Sequence, residues 1–145
     1  MPSVSRTFTV ETEPAIVVPY LADFGNAEQW DPGTEQCTRN DAGPVEVGST
    51  WHNTSKIAGV TTELTYTLEE LADHRIVLVG RNDTATSTET IEVTPNGAGS
   101  RISYTNQIDF HGAAKLAAPA AKVVFEKVAH DTEKQMTDVL NALAQ

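Results

Sequence analysis

Glu89 stands in residues 86–94 at the same parity as Ile91 and Val93. A strand that turns those two residues inward turns Glu89 inward as well. A carboxyl withdrawn from water holds its proton more tightly, and near neutral pH it can serve as a general acid or base. A bulge in that strand would return it to solvent. Other polar groups share inward faces in the same way. Asn53 and Ser55 follow Trp51, Tyr66 lies between Leu64 and Leu68, and Asn106 lies between Tyr104 and Ile108. Such groups, converging on a cavity, orient a ligand; alternatively they bond one another or ordered water, or lie at a solvated rim.

Other chemistries find little support. His52, His74, His111 and His130 are far apart, no two at a ligand-type spacing, and Cys37 is the single cysteine. A metal site is therefore not expected, nor is a cofactor. No Gly-x-Ser-x-Gly elbow is present, and Gly97-Ala98-Gly99 reads as a turn, without the strand–helix context of a phosphate loop. Trp30 and Trp51 are large apolar surfaces suited to core packing, Trp51 being the better candidate for a cavity wall. His111 falls at a solvated junction after the last strand.

The elements that must carry these residues follow from periodicity. Val4, Phe8 and Val10 alternate with Ser5, Thr7 and Thr9, giving a half-buried strand in which Arg6, of apolar parity, is expected near the open end. Glu13-Pro14 starts a helix with Ile16, Val17, Tyr20 and Leu21 on its apolar face; Pro19 should kink or shorten it. A second helical turn over 23–29, broken by Gly25, ends before Asp31-Pro32-Gly33. Strands are expected over 35–40, 50–57, 60–70, 75–81, 86–94 and 101–110. Residues 60–70 are the clearest: Val60, Thr62, Leu64, Tyr66 and Leu68 face inward. After Gly112, Leu116, Ala120, Val124, Val128, Met136, Val139, Leu140 and Leu143 recur at helical spacing. Lys122, Glu126, His130, Lys134 and Asp138 mark the polar face, and the main helix should start near Pro119.

The chain has 145 residues, which favours one domain spanning 1–145. Twenty acidic against 10 basic residues give a net charge of −10, which repels phosphate backbones and anionic lipid surfaces. Nucleic-acid partners and stable membrane insertion are not expected. No secretory segment and no apolar run of spanning length is visible, so cytoplasmic residence is expected. The apolar share is 39 %, with 6 % aromatic, which suits a modest core or one partly replaced by a cavity. Monomer and homodimer are both left open.

Four landmarks then carry a resemblance. They are Val10-Glu11-Thr12-Glu13-Pro14, then Tyr20-Leu21-Ala22-Asp23-Phe24 with Trp30-Asp31-Pro32, then Val47-Gly48-Ser49 before Trp51, and Gly112 with Pro119 ahead of the last helix. In this order they resemble the START-like, or SRPBCC, helix-grip superfamily, and within it the polyketide cyclase/dehydrase and lipid-transport family. The resemblance implies an α+β fold, also birch-pollen-allergen-like. A curved antiparallel sheet of about seven strands wraps a long C-terminal helix, and two short helices follow strand 1. It also implies a cavity for a small hydrophobic molecule: a lipid, sterol or polyketide. Trp51, Asn53, Leu64, Tyr66, Glu89, Tyr104, Asn106, Val124 and Val128 are the expected lining, with Glu89 the candidate catalytic group. Members include carriers and enzymes, so binding or transport stands beside a cyclase or dehydratase using an acid/base residue. A ligand-free interaction module, the third alternative, would need an exposed apolar patch. Small or flexible groups on the helix (Ala120, Ala121, Val124, Val128, Thr132, Met136) and groups that fill little space on the strands (Ser55, Thr62, Gly80, Asn106) predict a pocket of a few hundred Å³ at the middle of the helix.

Overall fold

The computed structural model describes residues 3–57, 59–112, 114 and 118–144. Leu116 lies outside them, as do the side chains of Ile57, Ala120, Ala121 and Lys122. The elements run β1 Ser3–Val10, α1 Pro14–Ala22, a 3-10 turn Phe24–Asn26, α2 Ala27–Trp30, β2 Thr34–Arg39, β3 Thr50–Ile57, β4 Val60–Ala72, β5 Arg75–Arg81, β6 Ala85–Asn96, β7 Gly99–Phe110 and α3 Ala118–Ala142. One antiparallel sheet has the order β1-β7-β6-β5-β4-β3-β2. Strands β2 to β7 follow one another as neighbours. Only β1 is placed across the sheet from its successor, and the short helices make that crossing.

Helix α3 packs on the inward face, against β1 and α2. Its 25 residues make it about 37 Å long. Met136 and Leu140 are fully buried, each contributing about 1.5–3 kcal/mol through apolar area removed from water. Polar contacts fix its C-terminal half. Thr12 donates its hydroxyl to the Leu140 carbonyl, Asn141 Oδ1 accepts from the Glu11 amide at 2.8 Å, and Gln135 Nε2 donates to the Gln29 carbonyl at 2.8 Å.

One expectation needs correction here. Arg6 is not at an open end: it lies mid-strand on β1, opposite Tyr104, and its guanidinium reaches the Glu126 carbonyl of α3 at 3.4 Å. Val60 keeps its inward parity and is 63 % exposed, because it is the first residue of β4 and sits where the sheet runs out. Helix α1 continues through Pro19, which removes the bond to the Ala15 carbonyl, and gives way at Asp23 to the 3-10 turn. No described helix is long and apolar enough to cross a membrane.

Candidate functional site

Four elements facing the interior change character at one level. On β4, Leu68 is solid core, while Tyr66, Leu64 and Thr62 border open space. On β6, Ile91 and Val93 are core, and Glu89, Ser87 and Ala85 border it. On β7 the change falls between Ile102 and Tyr104, beyond which Asn106, Ile108 and Phe110 follow. On α3 it falls between Met136 and Thr132, beyond which come Ala129, Val128, Phe125 and Val124. The enclosed space is a cavity of about 360 Å³ between the sheet and the N-terminal half of α3. Val4, Asp31, Ser55 and Val60 complete its wall. The exposure of Val60 places the opening at the end where β3 turns into β4.

Below the cavity the interior is packed with aromatic rings. Phe24 stands 4.5 Å from Tyr66, 6.0 Å from Trp30 and 6.3 Å from Trp51, centre to centre, and Trp30 stands 6.2 Å from Tyr104. Edge and tilted contacts of this kind hold rings together beyond their burial alone. They form a plug under a polar floor.

The floor consists of Tyr66, Ser87, Glu89, Tyr104 and Asn106. Ser87 Oγ accepts from the Tyr66 hydroxyl at 3.3 Å and from Asn106 Nδ2 at 3.0 Å. To reach Ser87, Tyr66 must lie across the whole width of β5, and Gly80 makes this possible. Gly80 pairs with both Tyr66 and Ser87, and a Cβ there would fall 2.6 Å from Tyr66 Cζ. Tyr104 donates its hydroxyl to Glu89 Oε1 at 2.9 Å. Glu89 Oε2 has no partner in the protein and is shut off from solvent.

Glu89 is 3 % exposed, and β6 pairs with β5 and β7 without a bulge near it, so no irregularity turns the carboxyl out. Burial, and next the charge of Asp31, push its pKa up to about 8, against the partial relief of the Tyr104 hydrogen bond. At neutral pH Glu89 is thus a carboxylic acid. With Oε1 accepting from Tyr104, the acid proton belongs on Oε2. Burial also lifts the Tyr66 and Tyr104 phenols well above their ordinary range, so both remain neutral donors.

Asp31 was not singled out from sequence, where it reads as part of a turn. It caps that turn, accepting from the Gly33 amide at 3.0 Å and the Thr34 hydroxyl at 2.9 Å, and it borders the cavity. Burial raises its pKa and these two bonds oppose the rise. Ser87 was also passed over, although its parity with Glu89 identifies it.

Of the expected lining, Leu64, Tyr66, Glu89, Tyr104, Asn106, Val124 and Val128 border the cavity. Trp51 and Asn53 do not, and both expectations are corrected. Trp51 is fully buried in the aromatic plug, with the Arg39 guanidinium 5.8 Å from its ring centre. Asn53 is buried behind the wall. It donates to Thr34 Oγ1 at 3.2 Å and accepts from Ser55 Oγ at 2.6 Å, linking Asp31, Thr34 and Ser55 in one chain. It therefore positions wall groups and presents no free atom to the cavity. His111 is exposed beside Thr86. Burial pushes the Cys37 thiol up to about 12, which leaves it an inert packing group. Among the described residues no cluster of His, Cys, Asp or Glu is arranged to hold a metal.

Known structures share this architecture. A Thermus thermophilus protein superposes with a TM-score of 0.82 at 13 % identity, over 99 % of this chain and 100 % of its own. A START superfamily protein from Mycobacterium smegmatis gives 0.77 at 17 %, over 97 % and 98 %. The Zhui aromatase/cyclase from a Streptomyces species gives 0.75 at 15 %, over 98 % and 92 %. At these identities the likeness shows the fold. No curated protein sequence matches the chain. The sequence profile of the family described as polyketide cyclase / dehydrase and lipid transport matches residues 1–145. The chain therefore belongs to the polyketide cyclase/dehydrase and lipid-transport family.

Proposed function

We propose that this protein binds and carries a small hydrophobic molecule between its sheet and α3, acting in the cytoplasm as one unit over residues 1–145. The observation that carries this reading is the cavity itself. It measures about 360 Å³, within the range of small-molecule sites, with apolar walls above a floor of convergent polar groups. A protein that needed only stability would fill that space. Native mass spectrometry of gently purified protein, followed by titration with sterols, fatty acids and aromatic polyketides, tests it. A co-purifying or titratable apolar compound in one-to-one ratio is expected. Failure to bind any of them would overturn the reading.

One observation favours a second reading, a cyclase- or dehydratase-type enzyme. Glu89 is a neutral acid at the cavity floor, hydrogen-bonded to Tyr104, and an acid so placed can protonate a carbonyl or a departing hydroxyl. Turnover of a poly-β-keto chain by the wild type, lost in Glu89→Gln with binding retained, would favour the enzyme over the carrier.

A further inference from the structure

The charge pattern of the cavity says which molecules it can take. Its described lining includes two carboxyl groups, Asp31 and Glu89, and no lysine, arginine or histidine. An anionic ligand would thus enter a low-dielectric space whose described lining offers no cation and already holds acids, which is strongly unfavourable. The two acids also differ. Both oxygens of Asp31 are engaged, by Gly33 and Thr34. Glu89 has one oxygen engaged by Tyr104 and one, Oε2, with no protein partner. A buried polar atom without a partner costs free energy until something supplies one.

We infer, building on the carrier reading above, that the cavity selects neutral apolar molecules bearing an oxygen acceptor, such as a ketone or ester carbonyl. That oxygen takes the hydrogen bond Glu89 has no protein group to give, and carboxylates of the same size are rejected. Glu89 supplies the proton and Asn106, its cross-strand partner, lies beside it on the floor. Burial and the charge of Asp31, in the turn before β2, keep Glu89 in the donor form, and the Tyr104 hydrogen bond from β7 only partly opposes them. Cys37 on β2 and Tyr66 on β4 also lie near it, and none of these groups is a cation. From β5, Leu78 is apolar; from α3, Thr132 offers a hydroxyl already donated to the Val128 carbonyl at 2.8 Å. Arg6, on β1, turns its guanidinium to Glu126. Above about pH 8 Glu89 ionises, loses its donor and repels acceptor oxygens, so affinity for such ligands must fall.

A shape-matched series tests this: 2-acetylnaphthalene, 2-ethylnaphthalene, 2-naphthoate and 2-naphthylmethylammonium, titrated calorimetrically into wild type and Glu89→Gln at pH 6 and pH 9.5. The ketone should bind wild type about 10-fold tighter than the hydrocarbon at pH 6, in line with one hydrogen bond. It should lose about that factor at pH 9.5, and naphthoate should bind at least 10-fold more weakly than the ketone at pH 6. Glu89→Gln, whose amide still donates, should bind the ketone with no such pH dependence. Equal binding of ketone and hydrocarbon, or of ketone and naphthoate, overturns the selectivity while leaving a binding cavity. Tightest binding of the ammonium also overturns it, making the site one for cations. Binding of none of the four, by a protein that also fails with sterols and polyketides, instead removes the carrier reading.

Discussion

Glu89→Gln should abolish a pH dependence of stability that the fold imposes on the wild type. Burial lifts the Glu89 pKa from 4.5 to about 8. Below about pH 4.5 the folded and unfolded chains both hold this proton, and the group contributes no slope. Between about 4.5 and 8 the unfolded chain has released it and the folded chain has not. Each rise of one pH unit then favours unfolding by about 1.4 kcal/mol from this group alone. Above about 8 both states are ionised and the slope vanishes. Over the window the loss reaches about 5 kcal/mol at most, and water entering through the open end should reduce it to about 3–4 kcal/mol. That is a large part of the roughly 5–15 kcal/mol by which a domain is stable. The variant keeps the shape, its amide oxygen can still accept from Tyr104, and it cannot ionise. Urea unfolding of both proteins at pH 5, 7 and 9 measures the difference directly, and contributions from unrelated groups cancel. The variant should be within about 1 kcal/mol of wild type at pH 5 and more stable by about 2–4 kcal/mol at pH 9. Parallel curves, with the difference constant across the range, would refute the buried acid and the donor role built on it.

Gly80→Ala should destabilise by about 1–3 kcal/mol, because a Cβ 2.6 Å from Tyr66 Cζ drives the ring off β5 and breaks its bond to Ser87. Chemical denaturation should show the loss largely repaired in Gly80→Ala/Tyr66→Leu and not in Gly80→Ala/Tyr66→Phe, which keeps the clashing ring. Val128→Trp should abolish uptake of the ketone probe at little cost in melting temperature, since the indole enters the cavity and not packed core. A drop equivalent to about 1–3 kcal/mol, the usual cost of overpacking, would mean that no such space exists in solution.

Much of this was legible from alternation alone, because parity fixes which face of a strand a residue occupies. Parity places Glu89, Tyr66, Tyr104, Asn106 and Leu64 inward, periodicity gives the order of elements, and the landmarks at Glu13-Pro14, Trp30-Asp31-Pro32 and Val47-Gly48-Ser49 carry the family resemblance. Parity does not say how far along a strand a residue sits relative to its neighbours. Trp51 and Asn53 share the inward face of β3 with Ser55, yet only Ser55 reaches the cavity. The difference is one of level, set by the register that pairs Trp51 with Tyr66 and Asn53 with Leu64. Asp31 escaped for a different reason. Turns have no period, and its direction is set by two local hydrogen bonds to Gly33 and Thr34.

The level at which β4, β6, β7 and α3 each present a polar atom inward, at Tyr66, Glu89, Tyr104 and Thr132, also bears on function. Nothing in strand propensity requires Glu89 there, between Ser87 and Ile91. A valine at 89 would extend the core by one layer, and it would remove a buried carboxyl whose second oxygen has no protein partner. Gly80 is likewise a poor strand residue, and its presence lets the Tyr66 ring cross to Ser87. The floor is thus assembled from residues that individually cost stability and jointly place a donor at the base of an apolar space. Such a set is coherent if a ligand completes the hydrogen bonding of Glu89, and has no structural rationale if the space stays empty.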